Sequence, residues 1–334
     1  MEIWQRIERS IQKRFRKELW TPFITAIKQY GLIAEGDRIA VCISGGKDSM
    51  LMAKLMQMLE RISDVPFEVR YLCMDPGYKA DHRRQIEENA KKMNIPIEIF
   101  QNRLFEVAEK EGEGSPCYLC ARMRRGALYA RAREAGCNKI ALGHHMNDVI
   151  ETTVMAMFYA SQLQGMMPKI RSRNFEGMEL IRPLYRIREA DINGWKRYND
   201  LTFLNCACRF TESIEKSANG IGKSKRKEIK ELIREMQKTN PDIEKSLFNS
   251  IHAVSIDTFP GWKIGTEKHP FQEWYDAGGA KAAFAADGPN RENRRGTGSG
   301  QKSQILIEDI EERIAGGDGQ HRVRRPDGDE SEEI

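Results

Sequence analysis

The chain reads as a doubly wound α/β protein: a parallel sheet with helices on both faces, carrying helical additions at its N- and C-terminal ends. Three observations carry this. Strand-length apolar runs alternate with helical stretches four times between residues 38 and 160, and such alternation requires crossovers, hence parallel strands covered on both sides. The first run, Ile39-Ala40-Val41-Cys42-Ile43, leads through a glycine turn straight into a helical stretch, Met50 to Leu59. Hydrophobic residues make up 40% of the 334, enough for a sizeable core.

Taken in order, residues 1–34 form one or two amphipathic helices, with Ile3, Ile7, Ile11 and Phe15 at helical spacing. Arg6, Arg9, Lys13, Arg14, Arg16 and Lys17 occupy the other faces and suit either solvent or RNA. Strand one is Arg38–Ile43, and its helix runs to about Ile62. Strand two, Phe67–Cys73, ends in the turn Asp75-Pro76-Gly77. A helix from about His82 to Met93, a short strand Ile97–Phe100 and a loop over 111–116 follow. A helix from about Leu119 to Ala135, strand four at Lys139–Leu142 and a long helix from about Asp148 to Ala160 complete the alternation. Further strands are expected at Leu180–Leu184 and Thr202–Leu204, with a helix from about Ala190 between them. The domain reading is therefore 1–34 helical, 35–215 the α/β domain, 216–279 a basic helical segment and 280–334 mostly disordered. The basic segment contains Lys223, Lys225, Arg226, Lys227 and Lys230. In the tail Gly, Asp, Arg, Asn and Ser dominate, broken by a short helix around Ile305–Ile314; such a composition buries too little apolar surface to offset ordering entropy.

Composition narrows the function only a little. A net charge of +5 does not by itself announce a nucleic-acid partner. There is no apolar run of membrane-spanning length, and Met1–Trp20 has no signal-peptide core, so the expected compartment is the cytoplasm. Seven cysteines in a reducing compartment suggest metal binding or catalysis over a disulfide framework. Cys42, Cys73 and Cys137 lie in or beside apolar strands and read as small core residues.

The turn after strand one is Ser44-Gly45-Gly46-Lys47-Asp48-Ser49. Strand, glycine turn and helix start aim several N–H groups and a positive dipole end at one point, which suits a phosphate. Gly45 and Gly46 allow close backbone approach, Lys47 brings a charge, and Ser44 and Ser49 bring hydroxyls. The glycines are adjacent, so this is not a Walker A loop. Gly143-His144-His145-Met146-Asn147-Asp148 ends strand four at the same sheet edge, where doubly wound folds bind ligands. Asp148 reads as a helix N-cap with Glu151 completing a capping box; a carboxylate there could also hold Mg²⁺. His144 and His145 suit site and packing equally.

Cys117-Tyr118-Leu119-Cys120 opens a helix, and Cys206-Ala207-Cys208 lies well downstream. Two pairs could hold zinc through four thiolates, although a CxC is atypical for the second half of a zinc ribbon. Three thiolates could instead hold a cubane iron–sulfur cluster with one iron open. Arg122, Arg124 and Arg125 follow the CxxC and could pair with RNA phosphates or a cofactor, or face solvent.

The loop resembles the PP-loop of ATP pyrophosphatases. Together with the CYLCARMRRGALY segment, ALGHHMNDVIETTVMAMFY, Met166-Met167-Pro168-Lys169 and IRPLYRIREADI at 181–192, all in order, it resembles the tRNA 2-thiocytidine synthetase family over about residues 1–215. Uridine-thiolating relatives usually carry an N-terminal zinc ribbon; Met1–Trp20 has no cysteine, which favours the cytidine branch. The resemblance implies an adenine nucleotide alpha hydrolase-like fold and an ATP-dependent tRNA sulfurtransferase that adenylates C2 of a base, expected to be an anticodon-loop cytidine. It implies ATP with Mg²⁺ on Ser44, Gly45, Gly46, Lys47, Asp48, Ser49, Gly143 and Asp148, with Lys47 and Asp48 catalytic. It implies a [4Fe–4S] cluster on Cys117, Cys120 and one later cysteine. The family's later pair is spaced CxxC where this chain has CxC, and Cys208 is matched to its second member, Cys206 being the alternative. The implied partners are tRNA and a sulfur donor system such as a cysteine desulfurase, with a homodimer left open. The competing readings are an ATP-dependent amide-forming or other RNA-modifying enzyme without a cluster, and a zinc-binding nucleotide-dependent adaptor.

Overall fold

The computed structural model describes residues 1–102, 116–204 and 225–276, with side chains excepted at 116–122, 257 and 274. A six-stranded sheet has the order β3-β2-β1-β4-β6-β5. Its strands are β1 Arg38–Ile43, β2 Glu68–Asp75, β3 Ile97–Gln101, β4 Lys139–Ala141, β5 Lys169–Arg171 and β6 Glu179–Ile181. Every neighbouring pair is parallel except β5 with β6. That edge strand departs from the all-parallel expectation. The connection over 172–178 is too short for a crossover helix, so its two strands run antiparallel.

β1 sits centrally and is buried from Ile39 to Ile43, as a parallel strand covered on both faces must be. The covering helices are α3 Lys47–Ile62, α4 Ala80–Lys92, α5 Pro116–Glu134, α6 Met146–Ala160 and α7 Glu189–Tyr198, preceded by α1 Ile3–Arg9 and α2 Thr21–Gln29. Met50, Leu51, Met52, Leu55 and Met56 of α3 are fully buried. Cys42, Cys73 and Cys137 are buried free thiols, as read from their apolar surroundings; burial pushes Cys42 up to about 12, so it stays protonated and inert.

The N-terminal segment is a single packed arm. Two π-helical turns, Ser10–Arg14 and Arg16–Trp20, join α1 to α2. Ile7, Ile11, Leu19 and Phe23 are fully buried, while Ile3 stays half exposed. Lys54 of α3 donates to Glu8 at 3.1 Å, and Asn199 donates to the Ser10 hydroxyl at 3.0 Å. Both contacts fix the arm to the α/β body.

Two strand expectations are corrected. The strand at 180–184 stops at Ile181, where Pro183 cannot donate to a ladder. Residues 202–204 form no strand; their backbone groups are used elsewhere. Thr202 O accepts from Asn89 Nδ2 at 2.8 Å, and Leu204 N–H donates to Gly45 O at 3.3 Å. Beyond the second gap, α8 Lys225–Thr239 and α9 Ile243–Ile251 are followed by a hairpin, β7 Gly261–Ile264 and β8 Glu267–Pro270, and by α10 Phe271–Asp276. α8 falls within the basic helical segment expected over 216–279, of which 216–224 and 277–279 lie outside the described residues. The hairpin was not anticipated. The loop over 111–116, apart from Pro116 at the start of α5, and the tail 280–334 with its expected helix also lie outside them. No helix among the described residues is long and apolar enough to cross a membrane.

Candidate active site

The strand order reverses between β1 and β4. The chain moves from β1 towards β2 and β3 on one side and returns to β4 on the other. Ligands of doubly wound sheets bind in the crevice beyond the carboxyl ends at such a point. The two turns leaving β1 and β4 there are Ser44–Gly46 and Leu142–His145. Gly45 has φ +81°, and a Cβ there would come within 2.6 Å of Ile86 Cγ1; both facts demand glycine. Gly46 is the N-cap of α3 in extended conformation. The two serines tie the loop: Ser44 N–H donates to Ser49 Oγ at 3.1 Å, and Ser49 Oγ donates to Gly46 O at 3.0 Å. Gly143 of the second turn lies so close that a Cβ would sit 3.1 Å from Ser49 N and 3.2 Å from Asp48 C. The absence of a side chain at 143 is thus what lets the two turns share one crevice.

Charge in the crevice is organised around Lys47. Its ammonium donates to Asp48 Oδ2 and Glu189 Oε1, each at 3.1 Å. Burial works against that charge, but the two carboxylates outweigh it and the pKa lies above the ordinary lysine value. Glu189 is held by Lys47 on one oxygen and Lys230 on the other. Burial would raise its pKa, yet the Lys230 hydrogen bond and both ammonium charges bring it down to about 2. Glu189 N–H also donates to Asn147 Oδ1 at 2.9 Å. On the facing helix, Arg226 donates to Asp148 Oδ1 at 2.8 Å and lies 3.4 Å from Glu151.

The capping of α6 differs from expectation. His145 is the N-cap, and Asp148 is the third helical residue. Asp148 N–H donates to His145 Nδ1 at 3.4 Å, and His145 N–H donates to Asp148 Oδ2 at 3.0 Å. The side chain of His145 thereby completes a reciprocal box that the Asp148–Glu151 reading had assigned one turn later. His145 Nε2 lies 3.8 Å from Asp48 Oδ1, so the imidazole stands between Asp48 and Asp148. Burial, then the Arg182 charge, lowers the His144 pKa to about 4, which leaves it neutral.

A cavity of about 410 Å³ opens beside these groups. Its lining includes the polar residues Ser44, Asp48, Ser49, His144, Asp148, Arg124 and Arg125 and the largely apolar Met74, Tyr78, Leu128 and Leu142. Of the candidates named from the sequence, Ser44, Asp48, Ser49, Gly143 and Asp148 all line it, with Gly45, Gly46 and Lys47 adjoining in the same loop. Arg124 and Arg125 lie on α5 about one helical turn beyond Cys120. Cys117 and Cys120 belong to the opening of that helix, but their side chains, like that of Arg122, lie outside the described residues, as do Cys206 and Cys208. The described segment before Cys206 ends at Leu204, which is bonded to Gly45. Two groups were not singled out from the sequence. Glu189 meets Lys47 across 142 positions, a separation no local pattern reveals. Tyr78 follows a turn that was read, and its place at the β2 edge could have been inferred from the topology.

Among the described residues no three His, Cys, Asp or Glu side chains converge as a metal cage. Mg²⁺ in nucleotide sites needs only one or two carboxylates beside the phosphates, and Asp48 Oδ1 is buried without a hydrogen-bond partner.

The PP-loop domain family matches residues 8–214. A tRNA-cytidine(32) 2-sulfurtransferase of Geotalea uraniireducens is 35% identical over 232 residues, covering 69% of this chain and 88% of the relative. One from Vibrio parahaemolyticus is 35% identical over 248 residues, covering 73% and 78%. Among solved structures, the U34-tRNA thiolase NcsA from Methanococcus maripaludis with its [4Fe-4S] cluster is similar in fold, with TM-score 0.51 at 18% identity over 73% of this chain and 80% of that one. With its glycine turn at the switch point and this depth of shared sequence, the chain belongs to the PP-loop domain family and, within it, to the tRNA-cytidine(32) 2-sulfurtransferases.

Proposed function

We propose that this protein is an ATP-dependent tRNA sulfurtransferase that replaces the C2 oxygen of cytidine 32 with sulfur. The observation that carries the reading is the convergence of the Ser44–Ser49 and Gly143–Asp148 turns on one cavity in a chain 35% identical to enzymes of that name. The adenine and ribose would be received by the apolar lining residues Met74, Tyr78 and Leu128, and the phosphates by the loop N–H groups at the start of α3.

The C2 oxygen attacks the α-phosphate, the bond to the β-phosphate oxygen breaks, and pyrophosphate leaves. Hydrosulfide then adds to C2, AMP departs with the former base oxygen, and the hydrosulfide proton passes to solvent. Adenylation turns a poor leaving group into a good one. Lys47 offsets phosphate charge as pyrophosphate forms, and Asp48 orients Lys47. Mg²⁺ would be held by Asp48 and Asp148; when bound it supplies charge neutralisation on the phosphates. Asp148 would have to exchange Arg226 for the ion.

A cluster fits the donor chemistry of Cys117, Cys120 and Cys208, with Cys206 as the alternative third ligand. These three thiolates would hold a [4Fe–4S] cluster, which would supply a site for inorganic sulfide when bound. Support comes from chain paths: α5 carries Arg124 and Arg125 to the cavity one turn past Cys120, and Leu204 touches Gly45 two residues before Cys206. A cysteine desulfurase as sulfur source, the cytoplasm as compartment and a homodimer as assembly complete the proposal. The boundaries 1–34, 35–215, 216–279 and 280–334 stand in it as working domain limits.

The deciding experiment is nucleoside mass spectrometry of tRNA from cells with and without the gene. Loss of 2-thiocytidine on deletion is expected; unchanged thiolation overturns the reading. Cys208→Ser is expected to remove iron and thiolation while ATP still binds, and Cys206→Ser to keep iron near the wild-type content. The reverse pattern transfers the ligand to Cys206, and loss of iron in both indicates four thiolates.

A further inference from the structure

Helix α8 lies outside the matched domain of residues 8–214, yet two of its side chains pair with carboxylates beside the PP-loop, Asp148 and Glu189. Ile229 and Ile233 anchor it in the cluster formed by Val149, Ile150, Val154 and Tyr185. Arg226 fastens the same helix to Asp148 at 2.8 Å and to Thr152 at 3.2 Å. Lys230, one turn later, reaches Glu189 Oε2, while Lys47 occupies Glu189 Oε1 at 3.1 Å. Glu189 is therefore one carboxylate shared by two ammonium groups, each from a different part of the chain.

We propose that Lys230 is a positioning residue for the ATP site: by keeping Glu189 paired, it frees Lys47 to turn to the phosphates. The inference rests on the reading of the crevice as an ATP site. To meet a phosphate, Lys47 must give up Glu189. Glu189 has only 18% of its side chain exposed, and a carboxylate left unpaired at such a site is costly. With Lys230 in place, Glu189 keeps a partner after Lys47 departs. Without it, Glu189 holds Lys47 as its only ammonium partner, and ATP must compete against that grip. Lys230 touches neither ATP nor tRNA in this scheme and acts through Glu189 alone.

The test is a double-mutant cycle on the full chain, reading ATP affinity by titration and pyrophosphate release by steady-state kinetics, with thermal melting as a check of folding. Lys230→Met is expected to weaken ATP binding about five- to tenfold, the size of coupling usual for groups in one ion-pair network, with a larger effect on KM than on kcat. Lys230→Arg should restore most of it. In a Glu189→Gln background there is no charge to strand, and Lys230→Met should change ATP affinity less than about twofold. Lys230→Gln serves in the same cycle if Lys230→Met does not fold. An equal loss in both backgrounds, or no loss in either, overturns the proposal. A wild-type protein that does not bind ATP refutes the reading of the site itself, an outcome separate from the cycle.

Discussion

Replacing Gly45 by alanine tests the loop geometry through two separable penalties. The backbone there has φ +81°, and an L-residue forced into the left-handed region costs about 1–2 kcal/mol. The added methyl would also meet Ile86 Cγ1 at 2.6 Å, Ile86 Cδ1 at 2.9 Å and Leu204 Cδ1 at 3.1 Å. Ile86 is 1% exposed, so overpacking against it adds about 1–3 kcal/mol. The sum is about 2–5 kcal/mol, and at about 2–4 °C per kcal/mol for a domain of this size the melting temperature should fall by about 4–20 °C. Ile86→Ala separates the parts, because it removes both overlapping atoms and leaves φ untouched. In that background Gly45→Ala should cost only the backbone part, about 1–2 kcal/mol. The assay is chemical denaturation of the four proteins, with pyrophosphate release on the same samples. Equal costs of Gly45→Ala in both backgrounds would refute the steric part, and a neutral Gly45→Ala would refute the whole argument.

Three further outcomes follow from the same geometry. Lys47→Ala should lower pyrophosphate release by about 10²–10³-fold, the effect usual for a deleted charge-stabilising group, while melting within a few degrees of wild type; a folded variant with full activity would exclude the role given to this lysine. Glu151 is pushed up to about 7 by burial. The folded state therefore binds its proton more tightly than the unfolded chain does. Stability from this group is present below about 4.5 and is lost as pH rises towards 7; Glu151→Gln should flatten that slope in melts taken from pH 4.5 to 8, and an unchanged slope would show that the group ionises normally. Truncation after Ala280 should leave ATP-dependent pyrophosphate release and the melting temperature unchanged, since residues 281–334 have too little apolar content to contribute to a core; a sharp drop in either would make the tail part of the fold.

Much of the α/β body was legible because its signals are local. β1, α3, α4, β3 and α6 follow from apolar run length and spacing, and the phosphate turn follows from Gly45-Gly46 between a strand and a helix. What escaped depends on distant groups or on subtler periods. The antiparallel β5 has three residues and no alternating pattern to announce it. The Asp148 cap was misassigned because histidine is a weak N-cap by type, and only its neighbours make His145 one. Lys47–Glu189–Lys230 joins three helices and has no sequence signature. The N-terminal arm is instructive in another way. Its apolar residues Ile7, Ile11, Phe15, Leu19, Phe23 and Ile27 recur every four positions, whereas an α-helix turns once in 3.6. A purely α-helical arm would swing each successive residue about 40° off the core. The wider i→i+5 turns at Ser10–Arg14 and Arg16–Trp20 absorb that excess and keep Leu19 and Phe23 inside.

The bond from Leu204 N–H to Gly45 O spans 159 positions of chain with a single 3.3 Å contact. In an unfolded polypeptide the two cysteine segments, at 117–120 and 206–208, are separated by about as many residues as make a small domain, and the proposed ligation would carry the loop-closure cost of that length. Docking of residues 202–204 on the PP-loop meets that cost in advance. Any lesion that loosens Gly45 would therefore disturb the docking of residues 202–204 together with the loop itself.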